Sequence, residues 1–81
     1  MDKILVKQFI DNYKEVFGGD SYITELEKHL EGGNPANAGH ICDVCNSYRY
    51  HYGFDDELSE VVDAYGFEIN PYTLEIKECR R

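Results

Sequence analysis

The segment from Asp55 to Gly66, DDELSEVVDAYG, decides the fold class of this 81-residue chain. Its apolar side chains recur at intervals of three and four residues, the period of an α-helix with one buried face: Leu58, Val61, Val62 and Tyr65. Three acidic residues at its start favour the positive end of the helix dipole, and Gly66 supplies a stop. The segment therefore predicts an amphipathic helix over residues 55–65 with an acidic solvent side.

The same period recurs toward the N-terminus and predicts further helices. The first spans residues 2–17 with Asp2 as its cap, and the second opens at Asp20 or Ser21 and stops at Gly32.

For the third helix, Asn34 as the cap and Pro35 as the first helical residue are start signals. Gly39 weakens this prediction and leaves a later start near His40 open.

Beyond Gly66 the pattern changes to an alternation of period two. Residues 67–69 and 74–76 alternate in this way around Asn70-Pro71-Tyr72-Thr73, which favours a β-hairpin closed by a type I turn. A last helical turn or two over residues 72–79 is the alternative. We therefore expect one acidic globular domain over residues 1–81, mainly α, with three to four helices, a short C-terminal β-hairpin and no internal repeat.

The charge of the chain is unevenly distributed. Between Gly18 and Ile76 there are twelve acidic residues against two basic ones, Lys28 and Arg49, and the whole chain has a net charge of −8. Such a body repels nucleic acid and anionic membrane and attracts basic protein surfaces. With no long apolar run and an odd number of cysteines, the chain is expected to be cytoplasmic.

Acidic residues spaced three and four apart predict the binding surface. On one helix their side chains lie about 5–6 Å from each other, and the basic residues are concentrated near the termini, which leaves the central acids unpaired in sequence. The predicted partner-binding residues are Asp56, Glu57, Glu60 and Asp63 at the centre, with Glu25, Glu27, Glu31 and Tyr50 in support.

This pattern favours a stoichiometric inhibitor that blocks a basic, nucleic-acid-binding site on a partner protein, as a DNA or RNA mimic, an antitoxin or an immunity protein would. Two other interpretations stay open: an acidic face that only keeps the protein soluble, and an acidic interface unrelated to nucleic acid. The oligomeric state is also open.

The segment from Tyr48 to Phe54, YRYHYGF, is rich in the residue types that anchor protein interfaces. On the helical period Tyr48 and Tyr52 fall on the core stripe, whereas Tyr50 points elsewhere. Tyr50 is therefore the predicted surface contact.

Cys42 and Cys45 have the C-x2-C spacing that can hold zinc or exchange disulfides. His40, His51 and Cys79 lie at no recognised ligand spacing, so we expect buried core thiols and no cofactor. A zinc-stabilised adaptor whose hairpin edge binds a peptide and a thiol-redox protein are the alternatives. No catalytic arrangement or phosphate-binding loop is present in the sequence, and we expect no enzymatic activity.

Overall fold

Four α-helices and a two-stranded hairpin make up residues 2–78, the part of the chain that the computed structural model describes. They are α1 (Lys3–Phe17), α2 (Ser21–Leu30), α3 (Ala38–Tyr52), α4 (Asp56–Tyr65), β1 (Glu68–Ile69) and β2 (Ile76–Lys77). The predicted fold class, mainly helical with a short C-terminal hairpin, is confirmed. Cys79 and the end of the alternative helix over residues 72–79 lie outside the described residues.

The helices form a ring in which α1 and α3 each pack against both α2 and α4. The core inside this ring is apolar, and its largest fully buried side chains are Tyr48, Phe9, Ile10, Ile23, Leu26, Ile41, Leu58 and Ile76. Because α2 and α4 each bury one face against two neighbours, their outer faces are left to solvent. No helix within residues 2–78 has both the length and the apolar character needed to cross a membrane.

The two helix pairs, α1–α2 and α3–α4, repeat one another. Both helices of the second pair begin and end 35 residues after their counterparts, so that Lys3–Phe17 corresponds to Ala38–Tyr52 and Ser21–Leu30 corresponds to Asp56–Tyr65. This correspondence lies in the helix boundaries and was not predicted from the sequence. The repeat is hidden because few residues are identical at this offset: Tyr13, Gly18, Asp20 and Glu25 match Tyr48, Gly53, Asp55 and Glu60.

The junction inside each helix pair is built in the same way. A glycine with a φ of 81° ends α1, and one with a φ of 79° ends α3. Asp20 and Asp55 then cap α2 and α4, each with one carboxylate oxygen 2.9 Å from a first-turn amide. The second oxygen accepts a tyrosine hydroxyl, from Tyr13 at 2.7 Å and from Tyr48 at 2.8 Å. Each aspartate thus joins the two helices of its pair.

The third helix begins later than Asn34 and Pro35 predict. Its cap is Asn37, whose side-chain oxygen accepts hydrogen bonds from the amides of Gly39 and His40 at 2.9 and 3.3 Å. Because this oxygen satisfies two amides of the first turn, the helix starts directly after Asn37 and the proline stays in the preceding loop.

The hairpin loop is longer than the predicted turn. The amide of Leu74 donates to the carbonyl of Asn70 at 2.8 Å, and this extra turn places Leu74 at a φ of +63° instead of in a strand. The Asn70 side chain accepts two further amides of the loop at 2.8 and 3.1 Å. The second strand therefore starts only at Ile76, which pairs with Ile69 in an antiparallel register.

Asn46 on α3 closes the outer edge of β2. Its side-chain oxygen accepts the amide of Ile76 at 3.0 Å, and its side-chain nitrogen donates to the carbonyl of Ile76 at 2.8 Å. The Cys42 thiol donates to the same carbonyl at 3.2 Å. The Asn46 carboxamide takes the place of a neighbouring strand and fixes the hairpin to α3.

Candidate partner-binding surface

The α4 acidic surface consists of Asp56, Glu57, Glu60 and Asp63. It lies on the outer side of α4, because the residues between them, such as Leu58 and Val61, are fully buried. Three of its carboxylate residues line an open cleft of about 270 Å³ between α1 and α4, with Leu5 and Ser59 as the other lining residues. The helical spacing predicted for these acids is therefore present on a helix that the core holds in place.

The carboxylates of this surface are not neutralised by the described part of the chain. The ion pairs within residues 2–78 lie elsewhere and join Lys7 to Asp11 and Lys14 to Glu27, and the His40 ring contacts Glu25. Glu60 accepts one hydrogen bond, from the amide of Asp2 at 3.1 Å. The negative potential of the α4 acidic surface is therefore directed to solvent.

The acids of α2 are in a different situation. Glu27 lies 2.7 Å from the Lys14 ammonium on α1, and Glu25 lies 2.8 Å from Nδ1 of His40 on α3. Glu31 is exposed and lines an open cleft that Glu25 and Lys28 also line. The prediction that the central acids have no basic partner is thus wrong for Glu27, because helix packing brings a lysine from the N-terminal region to it. The α2 acids do not join the α4 acidic surface.

The helix-pair repeat allows the two acidic helices to be compared position by position. Where α4 has Asp56 and Asp63, α2 has Ser21 and Lys28. Over equal lengths, α2 has two carboxylates and one lysine, whereas α4 has four carboxylates and neither lysine nor arginine. The equivalent helix thus has a neutral and a basic residue at these two positions, whereas Glu60 has an acidic counterpart in Glu25.

The tyrosines of α3 divide between core and surface. Tyr50 is 89% exposed, in agreement with its predicted outward direction, but it projects from α3 and not from α4. Tyr48 is fully buried and stacks on Phe9 with 4.4 Å between ring centroids. The prediction that Tyr52 is a core residue is wrong, because it is 37% exposed in the last turn of α3. Its hydroxyl donates to the carbonyl of Asn12 at 3.0 Å.

An aromatic cluster at the end of the molecule was missed by the sequence analysis. It consists of Phe17, His51 and Tyr52, at the C-terminal ends of α1 and α3. The His51 ring centroid lies 6.1 Å from that of Phe17 and 4.8 Å from that of Tyr52. Helical period alone assigns Phe17 and Tyr52 to the apolar stripe. Their position just before a helix-ending glycine is the signal that could have placed them at the rim.

No known protein family, curated protein or solved structure matches this chain. Its capacity for binding is therefore inferred from its own side chains. Ionised carboxylates only accept hydrogen bonds, so the α4 acidic surface is chemically complementary to groups that present donors and positive charge. Lysine and arginine side chains meet both requirements.

The two cysteines of α3 are buried free thiols, as predicted. Burial raises the pKa of Cys45, and burial together with the charge of Asp43 raises the pKa of Cys42. Both shifts disfavour the thiolate that redox exchange and metal binding require. Among residues 2–78 there is no group of three or more histidine, cysteine or acidic side chains that could hold a metal ion.

Proposed function

We propose that this protein is a stoichiometric inhibitor whose α4 acidic surface occupies a basic, nucleic-acid-binding site on a partner protein. The mode of action would be that of a nucleic-acid mimic, an antitoxin or an immunity protein. One observation carries the proposal: α4 has four carboxylates that form no ion pair within residues 2–78, and at two of these positions its counterpart α2 has Ser21 and Lys28. We place its action in the cytoplasm, where thiols such as Cys42 and Cys45 stay reduced.

Electrostatics supports binding at this surface over simple solubility. Like charges three and four residues apart destabilise a helix by about 0.2–0.5 kcal/mol per pair. A basic partner would remove this repulsion, and a net charge of −8 would steer the encounter and increase its rate. Binding should therefore weaken steeply as salt is added.

The surface is also formed before any partner arrives. The buried residues Leu58 and Val61 hold α4 in the core, and Asp55 anchors its first turn through Leu58 and Tyr48. A preformed row of charges loses little conformational entropy on binding, which favours affinity. Acids on a mobile segment would not have this advantage.

The proposal is tested by capture followed by displacement. The protein is immobilised, a lysate is passed over it, and bound proteins are eluted with a salt gradient and identified by mass spectrometry. The purified partner is then mixed with labelled nucleic acid, and release of that nucleic acid is measured as the inhibitor is added. We expect a nucleic-acid-binding protein that elutes at elevated salt and that loses its nucleic acid at a 1:1 ratio of inhibitor.

The repeat supplies a matched pair of variants for this assay. The change Asp56→Ser with Asp63→Lys gives α4 the residue types that α2 has at the equivalent positions, Ser21 and Lys28. Asp11→Ser with Asp43→Lys makes the same charge change at exposed acids elsewhere. The α4 variant should lose displacement and the control should keep it. Equal activity of both variants, or partners that ignore salt, would overturn the proposal.

A further inference from the structure

The rings of the aromatic cluster are held in fixed positions by the core. Phe17 and Tyr52 occupy equivalent places in the two helix pairs and are 41% and 37% exposed. Each packs against a buried tyrosine with the same geometry, 4.7 Å between centroids and 32° between planes, Phe17 on Tyr13 and Tyr52 on Tyr48. The hydrogen bond from the Tyr52 hydroxyl to the Asn12 carbonyl adds a further constraint. The cluster thus presents two partly exposed rings that need no rearrangement to bind a ligand.

The surroundings of the cluster are negative. Partial burial raises the pKa of the Tyr52 hydroxyl, and the carboxylates of Glu15 and Asp55 raise it further. The negative dipole ends of α1 and α3 are offset here by the positive ends of α2 and α4, which begin four residues later. The faces of aromatic rings are themselves electronegative. The two carboxylates and the ring faces act together to attract a cation.

The neighbouring cationic side chains are occupied elsewhere. The Lys14 ammonium contacts Glu27 at 2.7 Å, and the Arg49 guanidinium donates to the carbonyl of Thr73 at 3.4 Å. Both side chains are thus directed to groups outside the aromatic cluster.

The cluster adjoins the α4 acidic surface. Asp55, which caps α4, lies three residues after Tyr52, and its carboxylate accepts the hydroxyl of Tyr48, the tyrosine on which Tyr52 packs. Asp56, the first acid of the α4 acidic surface, follows directly. A basic segment lying along α4 would therefore reach the aromatic rings at the N-terminal end of that helix.

We propose that the aromatic cluster is the docking site for an arginine side chain of the same basic segment that the α4 acidic surface binds. This inference rests on the proposed function and deepens it by naming a residue type that the partner must present. Arginine fits better than lysine because its planar guanidinium stacks on aromatic faces while its edge stays free to donate to carboxylates. Glu15 and Asp55 are the carboxylates near Tyr52.

A short arginine peptide, acetylated and amidated tetra-arginine, is the probe for this site. It is titrated into the isotope-labelled protein and followed by NMR, with tetra-citrulline as a neutral isostere and tetra-lysine as a non-planar cation. We expect shifts of the Phe17 and Tyr52 ring protons, with contacts to arginine side-chain protons. The effect should be strongest with arginine, weaker with lysine and absent with citrulline. Unchanged ring resonances, or equal binding of citrulline, would overturn the inference.

Leucine substitutions remove the aromatic rings and keep a large apolar side chain at each position. Phe17→Leu with Tyr52→Leu should weaken arginine-peptide binding by about two- to fivefold per ring, the range typical of exposed cation–π contacts. Tyr72→Leu removes a ring that is 93% exposed on the hairpin loop and should leave the affinity unchanged. Circular dichroism and thermal melting establish that all variants are folded. Equal affinity of the double variant and the Tyr72 control would contradict an aromatic docking site.

The same titration distinguishes this inference from the proposed function. If the variant with Asp56→Ser and Asp63→Lys loses peptide binding while the leucine variant keeps it, the α4 acidic surface stands and the aromatic site is rejected. If only the leucine variant loses binding, the aromatic site stands and α4 is not the surface that binds arginine.

Discussion

In the first helix pair the acids of α2 contact a lysine and a histidine on neighbouring helices, whereas in the second pair the acids of α4 have no such contact within residues 2–78. The two pairs have the same helix lengths, and in each pair a glycine ends the first helix and an aspartate caps the second. The charge of the second helix differs between them. The two acidic helices can therefore be compared at equivalent positions within one molecule.

The comparison requires that α2 and α4 be held equally by the core. Leu26→Ala and Leu58→Ala each remove a fully buried side chain, one from each helix. Each should lower the free energy of unfolding by about 2–5 kcal/mol because it removes apolar contacts and leaves a cavity. Urea denaturation measures both. A Leu58→Ala cost far below that of Leu26→Ala would mean that α4 is a loosely held helix and not a rigid platform.

The equivalent caps give the next largest effect. Asp20→Ala and Asp55→Ala each remove a cap and the acceptor of a tyrosine hydroxyl, Tyr13 or Tyr48. We expect each to lower the free energy of unfolding by about 1–3 kcal/mol, from the cap and the lost hydrogen bond together. Thermal and urea unfolding of the two variants should agree with each other. A large difference between the two losses in the free energy of unfolding would show that the two junctions are not equivalent.

Alkaline pH tests the same junctions through their tyrosines. Burial, and then the hydrogen bond to Asp20, raises the pKa of Tyr13 above its ordinary value of 10.0. Burial raises the pKa of Tyr48 as well, with a further contribution from Asp55 that the Asn12 hydrogen bond partly opposes. Because the folded-state pKa is raised, the unfolded chain loses these protons first as the pH rises. The stabilisation is complete below about pH 10 and is lost above it.

The slope of this loss should be about 1.4 kcal/mol per pH unit for each tyrosine. Urea titrations at several alkaline pH values measure this slope. Tyr13→Phe or Tyr48→Phe should each reduce it by about 1.4 kcal/mol per pH unit, which corresponds to one proton. Burial also raises the pKa of Cys45, so this thiol adds to the loss of stability above its ordinary pKa of 9.0, and it does so equally in wild type and variants. An unchanged slope in either variant would show that its tyrosine titrates alike in both states.

The smallest expected effect comes from the surface charges themselves. Glu27→Gln breaks the partly exposed ion pair with Lys14 and should lower the free energy of unfolding by about 0.5–1 kcal/mol. Asp63→Asn should be neutral or stabilising by a few tenths of a kcal/mol, because it relieves repulsion with Glu60. Urea unfolding of wild type and both variants, at low and at high salt, measures the two changes in the free energy of unfolding. A destabilising Asp63→Asn would mean that the acid serves the fold and not a partner.

Local signals made the helices predictable. Asp2, Asp20 and Asp55 act on amides within three residues of themselves, so their effect on the backbone is visible in a short stretch of sequence. The acidic spacing on α4 is predictable for the same reason, since it depends only on the helical period.

Long-range relations were not predictable. The contact between Lys14 and Glu27 depends on how α1 packs on α2, and the exposure of Tyr52 depends on where the helix ring ends. The loop conformation of Leu74 is a local exception: the hydrogen bond from its amide to the Asn70 carbonyl overrides the alternating pattern that predicts a strand. The helix-pair repeat was not visible in the sequence because the two pairs share helix boundaries and hydrogen bonds and have few identical residues.

The Asn46 carboxamide on Ile76 also decides how far the hairpin can polymerise. Strand addition from one molecule to the next needs two free edges, one on each side of the sheet. On the β2 side both backbone groups of Ile76 are bonded to Asn46. On the β1 side, Pro71 two residues after Ile69 has no amide to donate. A molecule that added a strand at β1 would leave no free edge at β2 for the next one, so one polar side chain makes this two-stranded sheet a poor seed for fibrils.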